Sequence, residues 1–422
     1  MDVYRIAPLS APIDAFVDVP GSKSIANRAL VCAALADGES VLTGVPDGDD
    51  TEAMLDCLRL LGLEVDRVGT EARIGGGLRR LRKGPITLPT RLAGTTSRFL
   101  TALAALGPGP YTIDGEGPLR RRPMAPLHQA LADMGVRVQS REAEGHLPVT
   151  VQGPGDVTVD EVQLRGDISS QYLTALMLIA PYFPNGIRFV LTTPLVSRPY
   201  VRITAAVMAS FGVPGVELGD RIISVPAGRY TPRDYAIEPD ASSAGYPLAA
   251  AAICGGTIRV PGLTDTSVQG DAAFCHVLAR MGCEVRQDAS GTTVSRHGPL
   301  RGIDIDMVDL SDLVPTLAVV GAFAEGTTDI HGVGFIRNKE SDRLTDLCAE
   351  LRRAGIDATD NRDGLVVRHS RPHTATLGTH HDHRLAMSFA LVGLGASGII
   401  VEDPDVVSKS WPDFWAMIEG LR

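Results

Sequence analysis

The stretch from Gly21 to Arg28 reads Gly-Ser-Lys-Ser-Ile-Ala-Asn-Arg and combines two cations with three hydrogen-bonding side chains. It follows Pro20 and precedes the apolar run 29–36, a pattern that predicts polar side chains at the N-terminus of a helix. The first N–H groups of a helix are unpaired and its dipole is positive there, so a phosphate or carboxylate is favoured. Because Lys23 and Arg28 add full charges, the stretch predicts an anion site; the alternative is a capped surface helix.

Lysine is scarce in this chain. Among 40 lysine and arginine residues, the lysines are Lys23, Lys83, Lys339 and Lys409. An ammonium group is a compact charge whose pKa can shift enough to exchange a proton, which a guanidinium does not do in proteins. Each lysine is therefore a candidate for chemistry, although chance accounts for one or two of them.

Three further polar groups precede apolar, helix-like runs and a fourth, from Ser197 to Tyr200, is predicted to form a turn; all offer hydroxyls, amides or cations to an anion. They are Gly94 with Thr95, Thr96 and Arg98; Arg120 to Arg122; Ser169, Ser170 and Gln171; and Ser197 with Arg198 and Tyr200. Each group has an alternative interpretation as simple helix capping or, for the three arginines, as solvated surface. Together they favour several anion-binding helix starts.

Two groups suit acid–base chemistry. Asp312 opens the apolar run 313–323, where a carboxylate is either a helix cap or a fixed general base. The segment from Lys339 to Arg343 places Glu340 beside cations, and its alternative is an exposed helical ion pair. Lys409 is predicted to lie in an extended tail after Asp403-Pro404-Asp405.

Neither a metal nor an organic cofactor is expected. The run His380-His381-Asp382-His383-Arg384 suggests metal ligands, but no further ligand with suitable spacing lies nearby. A phosphate-binding GxxxxGK[ST] loop and a dinucleotide-binding fingerprint are both missing from the sequence. Phosphates must then be held by side chains, and a nucleotide cofactor is not expected.

Composition bounds the class of protein. The chain has 422 residues, 44% hydrophobic and 21% charged, which indicates a soluble globular protein of two domains or of several repeats that share cores. The net charge of −10 argues against general nucleic-acid binding.

Six scattered cysteines without a CxxC pair indicate reduced thiols in the cytoplasm. We expect neither a signal peptide nor a membrane span, because no apolar run reaches about 18 residues.

The chain also repeats itself. Helix-like segments end at glycine roughly every 70 residues, which is the size of a module that combines strands and helices. The glycines are Gly62, Gly135, Gly212, Gly282, Gly355 and, more weakly, Gly420. The clusters Asp167 to Gln171 and Asp240 to Ser243 each open a helix that is apolar all round, so both helices are predicted to be buried in the middle of a domain.

These motifs, in this order, resemble the 5-enolpyruvylshikimate-3-phosphate synthase family over essentially the whole chain. The matching residues are Pro20 to Arg28, Ala93 to Arg98, Arg122-Pro123, Ser169 to Gln171, Lys339 to Arg343, Asp382 to Arg384 and Asp403 to Lys409. The resemblance implies an α/β (α+β) fold of two domains, each an inside-out α/β barrel of three βαβαββ repeats. Residues 1–19 with 237–422 would form domain I, residues 20–236 domain II, and the active site would lie in the cleft between them.

The reaction that the resemblance implies moves the enolpyruvyl group of phosphoenolpyruvate to the 5-hydroxyl of shikimate 3-phosphate and releases phosphate. The implied catalytic residues are Lys23, Asp312, Glu340 and Lys409. Phosphoenolpyruvate would be bound by Lys23, Gly94, Arg122, Gln171, Arg343, Arg384 and Lys409. Shikimate 3-phosphate would be bound by Lys23, Ser24, Arg28, Ser169, Ser170, Gln171, Ser197, Tyr200, Asp312 and Lys339.

The chain departs from the family pattern at three positions: Leu92, Phe335 and His381 stand where members often have Asn. One alternative is therefore a relative that acts on another shikimate-like or cyclitol acceptor. A second alternative is a UDP-N-acetylglucosamine enolpyruvyl transferase. Against it, residues 114–122 lack the cysteine that is usual in that family. A third is a non-catalytic anion-binding protein. We expect a monomer whose two domains close when substrate binds. The resemblance also implies inhibition by glyphosate, which occupies the phosphoenolpyruvate site in this family, because glycine at position 94 leaves room for glyphosate there.

Overall fold

The computed structural model describes residues 2–153 and 159–422. The chain divides into two compact units. The continuous unit is Gly21–Ile237, and the discontinuous unit combines Met1–Pro20 with Glu238–Arg422. Each unit buries a hydrophobic core of its own.

Within the described residues the strands are short and fall into six sheets, five of four strands and one of three. In chain order they are β1 Val3–Arg5, β2 Ile13–Phe16, β3 Gly38–Thr43, β4 Glu64–Val68, β5 Glu71–Gly76, β6 Ile86–Pro89, β7 Tyr111–Asp114, β8 Arg137–Ser140, β9 Val149–Gln152, β10 Glu161–Leu164, β11 Ile187–Leu191, β12 Glu217–Leu218, β13 Ile222–Val225, β14 Asp234–Ala236, β15 Gly256–Pro261, β16 Glu284–Asp288, β17 Gly291–Arg296, β18 Asp304–Asp306, β19 Thr327–His331, β20 Ala358–Asp360, β21 Leu365–Arg368, β22 Ala375–Leu377 and β23 Ile399–Glu402.

Helices connect these strands. The α-helices are α1 Lys23–Leu35, α2 Asp49–Leu60, α3 Gly94–Leu103, α4 Gly117–Arg120, α5 Ala125–Asp133, α6 Ser170–Ile179, α7 Arg198–Ser210, α8 Ala241–Cys254, α9 Phe274–Arg280, α10 Val314–Ala322, α11 Thr345–Arg353, α12 His383–Gly395 and α13 Phe414–Glu419. The 3-10 helices are Leu78–Arg80, Ala104–Leu106, Ala180–Tyr182, Gly270–Ala273, Ser311–Leu313, Gly334–Asn338 and Pro404–Lys409. Among the residues described, no helix is both long and apolar enough to cross a membrane.

The predicted βαβαββ repeat is confirmed. In one repeat, β6 and β7 are parallel with α3 between them, and α5 then leads into β8 and β9, which pair antiparallel in the order β6-β7-β9-β8. Other four-stranded sheets have the same order. Two repeats take their first strand from a distant part of the chain, since β14 pairs with β3 and β2 pairs with β15. Over the part of the chain that the structure describes, the sheets stay open and do not close into a barrel.

The two apolar helices predicted to be buried are buried. Ser170 and Tyr172 to Ile179 in α6, and Ala241 to Ile253 in α8, lie in the interior of their units. A helix that is apolar all round needs packing on every side, and sheets and neighbouring helices provide it.

Five of the six repeat glycines adopt the left-handed conformation predicted for a helix C-terminus. Their φ angles are 96° at Gly62, 80° at Gly135, 93° at Gly212, 109° at Gly282 and 81° at Gly355. This conformation is strained for residues with a Cβ atom, which explains the glycines. The weaker sixth prediction fails in this respect, because Gly420 has a φ of −69°.

One local prediction was wrong. The segment that carries Lys409 is not an extended tail, because residues Pro404–Lys409 form a 3-10 helix and Lys409 is buried. Asp403, at a φ of 47°, turns the chain, and Pro404 follows at the first helical position. A proline has a fixed φ suited to a helix start, so the Asp-Pro pair begins a helix here.

Candidate functional site

Lys23 is the first residue of α1, which confirms the prediction that it lies at the N-terminus of a helix. Its ammonium lies 2.9 Å from Oδ2 of Asp50, whose carboxyl is buried at the start of α2. The backbone carbonyl of Asp50 accepts from Thr96 Oγ1 at 3.0 Å, which joins the start of α3 to the same place. Sequence reasoning missed Asp50, since a carboxylate in the acidic run 49–52 is expected at any helix N-terminus.

Arg28 is turned into the core of the continuous unit and is only 2% exposed. Its guanidinium donates to Thr204 Oγ1 at 2.9 Å and to the carbonyl oxygens of Ser24 and Tyr200 at 2.6 and 3.1 Å. Burial lowers the pKa of Arg28 to about 10. The resemblance implies that Arg28 binds a substrate carboxylate. To do so, its guanidinium must give up one or more of these hydrogen bonds and donate to the substrate instead.

Gly94 is the first residue of α3 and lies against two arginines. A Cβ atom added to Gly94 would stand 2.7 Å from Arg122 Nη1 and 2.8 Å from Arg98 Nη1. Arg98 Nη1 in turn donates to Gln171 Oε1 at 2.5 Å. The structure therefore brings together Gly94, Arg122 and Gln171 from three separate predicted groups.

The predicted serines lie at the starts of two helices. Ser169 caps α6 by accepting from the Gln171 backbone N–H at 3.3 Å, and Ser170 is buried beside it. Ser197 precedes α7 with a φ of 54° and is 3% exposed, and Tyr200 lies in the first turn of that helix. The capping interpretation holds for Ser169, and it does not exclude a further contact from the same hydroxyl.

In the discontinuous unit the predicted residues converge on Asp312. Its Oδ2 accepts from Arg384 Nη2 at 2.7 Å, its Oδ1 accepts from Arg343 Nη1 at 3.1 Å, and Lys339 Nζ lies 4.0 Å away. Burial alone would raise the pKa of Asp312, but the charges of Arg384, Lys339 and Arg343 outweigh it and hold the pKa well below its ordinary value. Asp312 is therefore ionised at neutral pH.

Arg343 is enclosed by three carboxylates and is 1% exposed. Besides Asp312, it donates to Asp382 Oδ2 at 2.7 Å and to Glu340 Oε2 at 2.8 Å. Burial would lower the pKa of Arg343, but the three carboxylates raise it. The alternative of an exposed helical ion pair is wrong, because residues 339–344 lie between two helices and Arg343 is buried.

Asp382 connects this cluster to α12. Its side chain caps the helix by accepting from the Arg384 backbone N–H at 2.9 Å, and it also accepts from Ser341 Oγ at 3.0 Å. The sequence drew attention to the Asp-His-Arg run but not to this pairing with Arg343. No sequence signal identifies which cation a carboxylate 39 positions away will meet.

The histidines before Asp382 bind carboxylates. His380 Nε2 lies 3.1 Å from Glu350 Oε1, and His381 Nδ1 lies 3.2 Å from Asp403 Oδ2. Within residues 2–153 and 159–422 no group of three or more His, Cys, Asp or Glu side chains is placed to hold a metal ion. Of the other departures from the family pattern, Phe335 lies under the Lys339 ammonium at 5.8 Å, a cation–π contact.

The fold defines the class of protein. The enolpyruvyl transferase NikO from Streptomyces tendae superposes with a TM-score of 0.79 at 19% identity, covering 99% of this chain and 97% of that one. An EPSP synthase from Acinetobacter baumannii superposes with a TM-score of 0.83 at 25% identity, covering 99% and 98%. The chain therefore has the enolpyruvyl transferase fold.

The sequence comparisons narrow this class to one family. Residues 9–418 match the family described as EPSP synthase (3-phosphoshikimate 1-carboxyvinyltransferase). A 3-phosphoshikimate 1-carboxyvinyltransferase from Nostoc punctiforme is 40% identical over 418 residues, which cover 98% of each chain. The chain belongs to the EPSP synthase family of transferases.

Proposed function

We propose that this protein transfers the enolpyruvyl group of phosphoenolpyruvate to the 5-hydroxyl of shikimate 3-phosphate, giving 5-enolpyruvylshikimate 3-phosphate and phosphate. In a chain that belongs to this family, the observation that carries the proposal is the cluster around Asp312. A base, an acid and three cations meet there within hydrogen-bonding or ion-pair distance. In such a cluster the cations can bind anionic substrates, and the base and the acid can remove and supply protons at the reacting atoms.

The cations of the discontinuous unit bind the donor in this proposal. Arg343 and Arg384, with Lys409, hold the carboxylate and phosphate of phosphoenolpyruvate. In the structure, both arginines are paired with Asp312 and Arg343 also with Glu340. An arriving anion competes with these carboxylates, so phosphoenolpyruvate displaces them from the arginines. Once displaced, Asp312 and Glu340 are released for proton transfer.

The reaction then proceeds by addition and elimination. Asp312, with Lys23, removes the proton of the 5-hydroxyl while its oxygen bonds to C2 of phosphoenolpyruvate and Glu340 protonates C3. The resulting tetrahedral intermediate carries both the acceptor oxygen and the phosphate on C2. Loss of a C3 proton to Glu340 re-forms the double bond as the C2–phosphate bond breaks and phosphate leaves. Proton transfers of this kind contribute about 10²- to 10⁴-fold each.

The helix starts of the continuous unit bind the acceptor in this proposal. Ser169, Ser170 and Ser197, supported by Gln171 and Tyr200, hold the 3-phosphate with Lys339. Ser24 and Arg28 hold the carboxylate and ring. The support is that the four serines, Gln171 and Tyr200 lie in the first turns of α1, α6 and α7, or just before them, where backbone N–H groups favour anions. That both units act on one pair of substrates in a cleft, and close on them, remains a prediction.

We further propose that the protein acts as a cytoplasmic monomer without a metal or organic cofactor, with no nucleic acid or membrane partner. The six cysteines are free thiols, which agrees with a reducing compartment. Size-exclusion chromatography with light scattering tests the monomer, and a mass of twice the chain mass would refute it.

Gly94→Ala is expected to raise KM for phosphoenolpyruvate by about tenfold, since the new methyl group displaces Arg122 or Arg98 and weakens one charged hydrogen bond. Both arginines present flexible ends, so the variant should fold. Glyphosate inhibition, expected to compete with phosphoenolpyruvate, should weaken in parallel. Steady-state kinetics measure both, with Gly117→Ala as a control because a Cβ there meets nothing closer than 3.8 Å. An unchanged KM would contradict Arg122 as a donor ligand.

A further inference from the structure

Two buried threonines lie against the guanidinium of Arg28. Thr204 in α7 accepts from Arg28 Nε at 2.9 Å, and Thr174 in α6 accepts from Arg28 Nη2 at 3.4 Å. Both threonines are 0% exposed, and their hydroxyl oxygens are 3.1 Å apart. The three side chains therefore form one hydrogen-bonded network between α1, α6 and α7. Because burying an unpaired polar group is costly, each hydroxyl group depends on the other members of this network.

The hydrogen-bonding capacity of a hydroxyl group decides the direction of each bond. Thr204 donates its one proton to the Tyr200 carbonyl oxygen at 2.8 Å. Two lone pairs remain on Thr204 Oγ1, and Arg28 Nε donates to one of them. The bond between the threonines must then run from Thr174 to Thr204, since Thr204 has no second proton to give. The hydroxyl group of Thr204 is thereby saturated, with one bond donated and two accepted.

The bond to Thr204 also fixes the orientation of the guanidinium. With Nε bonded to Thr204, the planar group places Nη1 2.6 Å from the Ser24 carbonyl oxygen and Nη2 3.1 Å from that of Tyr200. Ser24 and Tyr200 lie in the first turns of α1 and α7. The guanidinium also lies over the ring of Phe99, 5.5 Å from its centroid. Because a guanidinium is rigid, a bond that holds Nε determines where the two terminal nitrogens lie.

We propose that Thr204 is a positioning residue for the proposed reaction, whose hydroxyl group orients Arg28 so that its terminal nitrogens meet the carboxylate of shikimate 3-phosphate. Thr174 supports Thr204 in this role. The physical reason is that a long side chain loses rotamer freedom when it binds an anion, and a side chain already held at Nε loses less. Arg28 exchanges carbonyl oxygens for the substrate and keeps its bond to Thr204. The inference rests on the proposed function, because that function assigns Arg28 to the substrate carboxylate.

Thr204→Ala and Thr204→Ser differ by one hydroxyl group and test this role. Thr204→Ala should raise KM for shikimate 3-phosphate about tenfold, the effect of losing one hydrogen bond to a charged group. Thr204→Ser keeps the acceptor, so its KM should stay within about twofold of the wild type. In both variants kcat and KM for phosphoenolpyruvate should not change, because a contact that is equal in the ground and transition states affects only binding. Steady-state kinetics with each substrate varied measure these quantities.

Thr101→Ala is the matched control for a loss of packing. Thr101 in α3 is also 0% exposed, and it also donates to the carbonyl oxygen four positions earlier, that of Ser97 at 2.7 Å. Its truncation should lower the melting temperature about as much as Thr204→Ala does and leave KM for shikimate 3-phosphate unchanged. If Thr204→Ala does not fold, Thr204→Val removes the same hydroxyl group while filling the space, and the same tenfold rise is expected.

Thr174→Val tests the direction of the network. It leaves the bond between Arg28 Nε and Thr204 in place, so KM for shikimate 3-phosphate should rise by less than in Thr204→Ala. A larger rise in Thr174→Val than in the Thr204 variants would overturn the proposal.

Calorimetric binding of shikimate 3-phosphate separates this inference from the proposed function, since it requires no turnover. Binding about tenfold weaker in Thr204→Ala than in the wild type, and normal in Thr204→Ser, supports the inference. Equal affinity of Thr204→Ala and the wild type, or an equal loss in Thr101→Ala, would overturn it. Proteins that bind the ester in the expected pattern, with a wild type that forms no product, would instead refute the proposed function alone.

Discussion

Asp312→Asn is expected to lower kcat by about a thousandfold, because it removes the proposed base and leaves the shape of the side chain. The amide oxygen can still accept from Arg384 or Arg343, and Arg343 keeps Asp382 and Glu340 as partners. The protein should therefore fold. Phosphate release under saturating substrates measures the effect, and thermal unfolding shows whether the fold is kept.

Asp309→Asn is the matched control for this variant. Asp309 lies three positions earlier and is exposed, and its substitution replaces the same carboxylate by the same amide. Its kcat should stay within about twofold of the wild type, as surface substitutions usually have small effects. Equal losses in both variants, or a kcat for Asp312→Asn within tenfold of the wild type, would remove Asp312 from the mechanism.

Lys23→Met is expected to reduce kcat/KM for both substrates by about a thousandfold. The change removes a cation and a proton donor, and it leaves the buried carboxylate of Asp50 without that partner where anions must bind. Lys83→Met is the control, since Lys83 is an exposed lysine outside every predicted site. Activity of Lys23→Met close to that of Lys83→Met would contradict the catalytic assignment.

The double variant Lys23→Met/Asp50→Asn separates stability from chemistry. Removing the carboxylate together with Lys23 avoids a buried charge that has lost this ammonium partner, so the melting temperature should recover relative to Lys23→Met alone. Activity should not recover, because the ammonium is still missing. Recovery of activity in the double variant would show that Lys23 serves only to neutralise Asp50.

Local patterns predicted much of the fold and the position of many site residues. Glycine after a helix-like run predicted five left-handed helix ends, since only glycine adopts that conformation without strain. The polar stretch before an apolar run placed Lys23 in the first turn of a helix. Both inferences depend on interactions within a few residues, which is why sequence alone was enough.

Pairings between distant positions could not be predicted in this way. Arg343 meets Asp312, 31 positions earlier, and Asp382, 39 positions later in the next repeat, and Arg28 turns into the core towards Thr204. Which carboxylate reaches which cation depends on how helices pack, and a motif does not encode this. The same limit explains why Asp50 passed unnoticed, as it looked like an ordinary acidic residue near a helix start.

The most direct test of the proposed function is phosphate release from phosphoenolpyruvate with shikimate 3-phosphate, run beside unphosphorylated shikimate and beside Glu340→Gln. We predict rapid release only with the phosphorylated acceptor, and release slowed by about 10²-fold or more in the variant, which lacks the proposed acid. Glu325→Gln, an exposed change, should match the wild type. No release with either acceptor, in a folded protein that still binds the phosphate ester, would contradict the proposed function.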